Sequence, residues 1–369
     1  MEISAEQNEE HQEVAPIKER LVYPSGKVYH HIHLTGGINP EKRTQKLIEP
    51  FQPGDTVVFT VHDFFALYTN PRLSQAEQQS VASIRRGNMT PEALWDIAQR
   101  LSDSKGVIPL FAFEANVAVS VPGDQLEIAH FNLIHHDPMV FKKILDHYRR
   151  REEVGRSLYL FEEEVVQMAN SGLLVVYNHP EFNSEECNRR IREFHQKAGF
   201  FVEVPFLHFM SAPHEGLLKK GKVAHEDKPL ATEDSQLRDI PPVLGFDYHG
   251  CNRTRFILPF NSTTDSVVPG EQIGIQQFLD KIKNGSTIVT PDMNEYRRSK
   301  TGEATRYYID TYPIGGSSEF ITGLTEPLQY RLWEIPSKIR KVFAFRQQYC
   351  LPGSRIKEDP RFNKRTLLD

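Results

Sequence analysis

Short apolar runs rich in β-branched residues alternate along this chain with segments that carry helix start and stop signals, and that alternation limits the folds open to it. Asp55 to Thr60 (DTVVFT) follows the turn Pro53-Gly54 and reads as a buried strand. Val107 to Phe113 (VIPLFAF), Leu173 to Tyr177 (LLVVY), Phe200 to Val204 (FFVEV) and Val243 to Phe246 (VLGF) read the same way. Lys27 to Tyr29, Leu126 to Ala129 and Thr287 to Thr290 are weaker strand candidates. Thr90-Pro91-Glu92 reads as a helix start, with a capping hydroxyl, proline at the first helical position and an acid in the first turn. Further helices are expected from Asp137-Pro138, over Phe161 to Met168 with Gly172 as the stop, from a Ser184 cap to Gly199, and over Gln272 to Lys283. Strands spaced by helices predict parallel βα units, hence an α/β fold. The length of 369 residues could hold two domains and suits equally well one barrel of roughly 250 residues with additions. Residues 1–20 read as a polar arm, 21–324 as the barrel, and 325–369 as a C-terminal extension in which Trp333, Phe343, Phe345 and Tyr349 sit among arginines and lysines.

The polar residues are placed less evenly than the apolar ones. His31 and His33 follow the candidate strand at Lys27; at positions i and i+2 of a strand both would point to one side. His62 directly follows DTVVFT, and Glu114 directly follows VIPLFAF. His130 follows Leu126 to Ala129, His179 lies one residue beyond LLVVY, and Asp247 and His249 follow VLGF at i, i+2. In a βα barrel, residues at the C-terminal strand ends converge on one mouth. Eight side chains able to bind a metal, from six strand ends, would therefore meet in one cluster. A lone histidine is more often a hydrogen-bonded core residue than a ligand. The joint placement gives these residues weight. His11, His30, His135, His136, His147, His195 and His225 lack it and are expected at the surface, and His208 and His214 fall in a loop that could reach the mouth.

With these residues in view, the chain resembles the PHP (polymerase and histidinol phosphatase) superfamily of metal-dependent phosphoesterases. His31-Ile32-His33 matches its first motif, and Phe59 to Asp63 (FTVHD) looks like its TDHD motif with Val61 in place of the first Asp. FAFEANV around Glu114, AHFNLI around His130, YNHPEF around His179, VEV at Val202 to Val204 and GFDYHG at Gly245 to Gly250 resemble its later motifs, in family order from about Tyr29 to Thr290. The resemblance implies a distorted (β/α)7 TIM-like barrel holding two or three divalent transition metals, zinc, manganese or iron. It implies a first metal on His31, His33, Glu114 and Asp247, and a second on Glu114, His130 and His179, with Glu114 bridging. His62 and His249 would belong to a third site. The family's His or Asp after the first motif is missing: Leu34 to Asn39 offers only Asn39, a weaker amide ligand.

The chemistry so implied is hydrolysis of a phosphate ester. His62 or His249, where not ligating, are candidates to protonate the leaving oxygen. Arg253 and Arg255 are candidates to hold the substrate phosphate, since guanidinium pairs with it bidentately. Cys251 reads as an inert thiol rather than a nucleophile. A small phosphorylated substrate is expected; a net charge of −5 argues against a long nucleic acid. The loop from His208 to Asp239, with Phe206, Phe209 and Met210 before and within it, is a candidate for specificity. Two rival readings stay open: HIHLTGG also resembles the opening of adenosine-deaminase-like amidohydrolases, and a barrel of this kind can act as a binding module without catalysis. No apolar run approaches the ~20 residues that span a bilayer. Cys187, Cys251 and Cys350 form no disulfide pattern, and no secretion signal opens the chain, so a reducing, cytoplasmic setting is expected, with export by another address left open. Oligomeric state is not legible.

Overall fold

The computed structural model describes residues 19–34, 39–62, 90–123, 125–146, 159–180, 183–205, 237–248, 262–285, 287–289 and 355–357. Seven strands close a barrel: β1 (Lys27–His33), β2 (Thr56–His62), β3 (Ile108–Val121), β4 (Gln125–His135), β5 (Leu174–Asn178), β6 (Phe201–Pro205) and β7 (Pro242–Tyr248). They pair in that order, and β7 returns to β1 to complete the ring. All neighbours are parallel except β4, which runs antiparallel to both β3 and β5. The fold is therefore a mixed, distorted TIM-like barrel, as expected, although not a uniform run of parallel βα units.

The departure at β4 has a local cause. β3 does not stop at Phe113 but continues to Val121, and Gly123 (φ 85°) then turns the chain straight back. The two strands form a long hairpin from Val121↔Gln125 to Phe111↔His135. Residues Arg355–Lys357 lie antiparallel beside β4 at its Gln125–Glu127 end. Thr287–Val289 is not a further barrel strand: it pairs antiparallel with Ser262–Thr264, which in turn lies antiparallel to the start of β1.

The helices follow their caps. α1 (Pro40–Ile48) starts at Asn39, whose side chain accepts from the Lys42 N–H at 3.1 Å. α2 (Pro91–Lys105) starts where Thr90 Oγ1 accepts from Ala93 N–H and ends at Gly106 with φ 74°. α3 (Glu162–Asn170) is closed at its start by Glu164, which accepts the Phe161 N–H at 2.7 Å. α4 (Glu185–Ala198) begins at Ser184, which caps Cys187 N–H, and stops at Gly199. α5 (Ile275–Asn284) starts later than the pattern from Gln272 indicates, because Ile273–Gly274 pair with Leu21–Val22 as a short antiparallel ladder. At Asp137-Pro138 only a 3₁₀ turn, Pro138–Phe141, opens the helical stretch.

Two apolar clusters sort the faces of the barrel. One joins Tyr29, Phe59, Phe111, Phe131, Tyr177 and Val202 to Leu94 and Trp95 of α2 and Ile191 and Phe194 of α4; this is the outer wall under the helices. The other joins the alternate residues Val28, Val58, Leu110, Ile134, Val176, Phe201 and Val243 to Ile275, Phe278, Leu279 and Ile282 of α5. The period of two along each strand makes this second set the lumen, and α5 plugs the end at which the parallel strands begin. Continuing the same inward rows toward the other end gives Glu114 and Asn116 on β3, Asn132 and His130 on β4, Asn178 on β5 and Glu203 on β6, all buried. An apolar floor and a polar upper lumen thus come from one alternation.

Candidate metal centre in the barrel lumen

Glu114 is the hub. Its Oε1 lies 3.2 Å from His130 Nδ1, 3.4 Å from His31 Nε2 and 3.4 Å from His179 Nε2, and it accepts from Asn178 Nδ2 at 3.2 Å. Its Oε2 lies 3.5 Å from His33 Nε2. Two overlapping triads result, His31–His33–Glu114 and Glu114–His130–His179, each with its candidate ligand atoms within 4.8 Å of one another. All five side chains are buried. A carboxylate shared between pairs of imidazole donors is a donor set for a borderline divalent transition metal, not for calcium. Burying it without a counter-charge is costly, so the residues present fit bound cations.

Strand irregularities build the cluster. In β1 the register against β2 shifts between Tyr29 and Ile32, so β1 carries an extra residue there. His31 sits at that point with φ 66°. Before the bulge the inward row is Val28 and His30; after it Ile32 turns to the outer wall, and His31 and His33 take the lumen. The i, i+2 pair does share a side. His30 is the correction: expected at the surface, it is 1% exposed, with Nε2 against the Asn132 amide at 3.1 Å. Burial first, then the His31 imidazolium, push its pKa down to about 3. At the end of β5 the inward residue is Asn178, and His179 would face out on a regular strand. Its φ of 52° turns it back, so both residues reach Glu114. Left-handed backbone at a non-glycine residue costs of order 1–3 kcal/mol, and here both cases within β1 and β5–His179 fall at the cluster.

His130 is also placed differently from the expectation. It is not at a strand end but mid-way along β4, opposite Asn116 and Asn178; because β4 runs backwards, its middle lies level with Glu114. Glu114 likewise lies within β3 rather than at its end.

Glu203 completes the site, and sequence reasoning gave it no role. It is 0% exposed on β6. Its Oε1 meets His31 Nδ1 at 2.8 Å, and its Oε2 accepts the His179 backbone N–H at 3.2 Å and stands 3.6 Å from His179 Nδ1. Burial raises its pKa, but the His31 and His179 rings prevail and hold it below the ordinary carboxylate value. At His31 burial pulls downward, yet Glu203 and Glu114 together hold its pKa well above the ordinary value. A signal existed: Glu203 is the one ionisable residue of FFVEV, a run otherwise apolar.

Asn39, the only residue available for the missing ligand after the first motif, is exposed and occupied as the α1 cap. The backbone of His62 pairs with Glu114 across β2 and β3, and that of Asp247 lies in β7, but their side chains fall outside the described residues, as do His249, Cys251, Arg253, Arg255 and residues 206–236. Among the remaining histidines expected at the surface, His136 is half-buried against Gln276, and His195 accepts the Phe200 N–H at 3.1 Å beyond the end of α4.

Fold and site together define a class: a closed, seven-stranded α/β barrel whose upper lumen carries a buried imidazole–carboxylate cluster compatible with metal binding. The chain is similar to a solved two-domain protein from Bacteroides vulgatus containing a predicted PHP-like metal-dependent phosphoesterase, at 15% identity and a TM-score of 0.38, over 74% of this chain and 68% of the other. No family model matches the chain, and no curated protein matches its sequence. Among the described residues no helix is long and apolar enough to cross a membrane.

Proposed function

We propose that this chain is a metal-dependent phosphoesterase of the PHP kind, acting on a small phosphorylated substrate. The observation that carries the reading is Glu114, a buried carboxylate shared by four imidazoles in two triads at the mouth end of the barrel. His31 and His33 would hold one divalent cation and His130 and His179 a second, with Glu114 between them; Asp247 would add to the first. When bound, two such cations supply Lewis acidity toward phosphate oxygens and a water of lowered pKa as the attacking group. The chain's own residues do the rest. Asn178 donates to Glu114 Oε1 at 3.2 Å and so helps to orient the carboxylate that the two triads share. The apolar floor behind them keeps bulk water from the lower lumen, which strengthens every charge interaction above it. His62 or His249 would give a proton to the leaving oxygen, and Arg253 and Arg255 would neutralise the substrate phosphate. Zinc, manganese and iron all suit the donors. The domain limits 21–324 for the barrel and 325–369 for an appended segment belong to the same reading.

The test is metal content by elemental mass spectrometry with a phosphate-release screen over small phosphomonoesters. Two equivalents of a transition metal, with turnover abolished in Glu114→Gln or in His31→Ala combined with His33→Ala, is the expected result. Wild-type rates in those variants would overturn the assignment. One equivalent would favour a single-metal amidohydrolase, and none, even after incubation with zinc or manganese, a binding module.

A further inference from the structure

We propose that Glu203 is a positioning residue that ties the two metal triads together, orienting His31 of one through its ring and His179 of the other through its main chain. The inference rests on the metal-centre reading above. His31 has two ring nitrogens with different neighbours. Nδ1 stands 2.8 Å from Glu203 Oε1, and Nε2 faces Glu114 Oε1 at 3.4 Å. A carboxylate at hydrogen-bond distance keeps the proton on Nδ1 and leaves the Nε2 lone pair for a cation. The other oxygen of the same carboxylate accepts the His179 N–H at 3.2 Å, at a residue held with φ 52°. That backbone conformation turns the His179 ring toward Glu114, and the hydrogen bond to Glu203 helps to hold it. One buried group therefore sets a ligand in each triad.

The neighbouring strand is cut to fit. Gly245 on β7 has no side chain where Glu203 lies: a Cβ there would fall 1.6 Å from Oε1 and 2.2 Å from Cδ. The position demands glycine because the carboxylate occupies the space a side chain would need, not because of a left-handed turn. Glu203 is also near His30 and His31 in a third group of candidate ligand atoms. Its 2.8 Å separation from His31 Nδ1 is hydrogen-bond length, and His31 presents its other nitrogen to Glu114, so the geometry points to orientation rather than ligation.

The test is zinc titration against a chromophoric chelator, on wild type, Glu203→Gln and Glu203→Asp, with thermal unfolding of the zinc-free proteins alongside. Glutamine keeps the shape but can accept with one oxygen only; its amide group then faces a donor. The expected result is that wild type and variant both saturate at two equivalents, that both sites of Glu203→Gln bind 10–100-fold more weakly, and that Glu203→Asp, which keeps two acceptor oxygens, regains part of the loss. Unchanged affinities in a folded Glu203→Gln would overturn the proposal while leaving the metal centre intact. So would loss of one whole equivalent at saturating zinc, which would make Glu203 a ligand. A wild type that binds no zinc would overturn the phosphoesterase reading and this inference together. Should the variants not fold, nitrogen-15 spectra of zinc-loaded wild type decide: His31 protonated at Nδ1 and ligated at Nε2 supports the proposal, and ligation at Nδ1 overturns it.

Discussion

Gly245→Ala adds a single methyl group to a barrel strand and should be among the most damaging small substitutions in the molecule. The new Cβ would lie 1.6 Å from Glu203 Oε1, whereas real Cβ contacts essentially never fall below 3.0 Å, so the carboxylate or the β6–β7 pairing must move by at least about 1.4 Å. The hydrogen bond at stake has its partners at 2.8 Å, and the second, to His179 N–H, at 3.2 Å. A displacement of that size breaks at least one of them. Hydrogen bonds to charged groups contribute about 1.5–3 kcal/mol each. Loss of both bonds would cost about 3–6 kcal/mol and breaking a buried ion pair about 3–5 kcal/mol, so with both lost the two routes overlap at roughly 3–5 kcal/mol. At about 2–4 °C per kcal/mol for a domain of this size, the metal-free protein should lose on the order of 10 °C in Tm. The assay is thermal unfolding by circular dichroism of the metal-free wild type, Gly245→Ala, Glu203→Ala and the double variant. If the glycine serves to make room for this carboxylate, adding Gly245→Ala to Glu203→Ala should cost under about 0.5 kcal/mol, a strongly non-additive cycle. A fully additive cycle, or a Gly245→Ala protein with wild-type Tm, would refute the reasoning.

Two other outcomes follow from the same geometry. His30, with a pKa near 3 in the folded protein, takes up no proton as pH falls through 6.5, while the unfolded chain does. Acid therefore favours unfolding through this group, and His30→Gln should flatten the fall of Tm between about pH 6.5 and 4 in metal-free protein. His31, with its raised pKa, acts in the opposite direction: its contribution is fully present below the ordinary value of 6.5 and fades as pH rises through its raised value, so the comparison must be variant against wild type. Phe278→Ala in α5 removes a ring from the floor of the lumen and should lower stability by about 3–5 kcal/mol, while metal stoichiometry at saturation stays at the wild-type value. A shift in stoichiometry would show that floor and site are not separable layers.

The sequence by itself determined much of the frame. Apolar runs bounded by turns placed most of the barrel strands, and Thr90, Ser184 and Gly199 marked helix ends, because capping and left-handed termini are local chemistry. The polar residues at the strand ends were legible as a group, since alternation and the common mouth of a βα barrel follow from strand geometry alone. Tertiary structure decided what no local rule reaches. The reversal at β4 depends on a hairpin in which β3 runs on past Glu114, and a run ending in FAFEANV does not state where its partner will be. That His30 and His31 both face the lumen depends on a bulge in the register of β1 against β2, and the turn of His179 on backbone strain that surrounding contacts must hold. Asn39 stood in the sequence only as a weak ligand, and the placement of the chain around it made it a helix cap instead. Glu203 is the clearest case. One acid in an apolar strand can be a surface residue, a core pair or a functional group. Only the approach of His31 and His179 from other strands, and the space left by Gly245, made its buried charge tolerable and gave it partners.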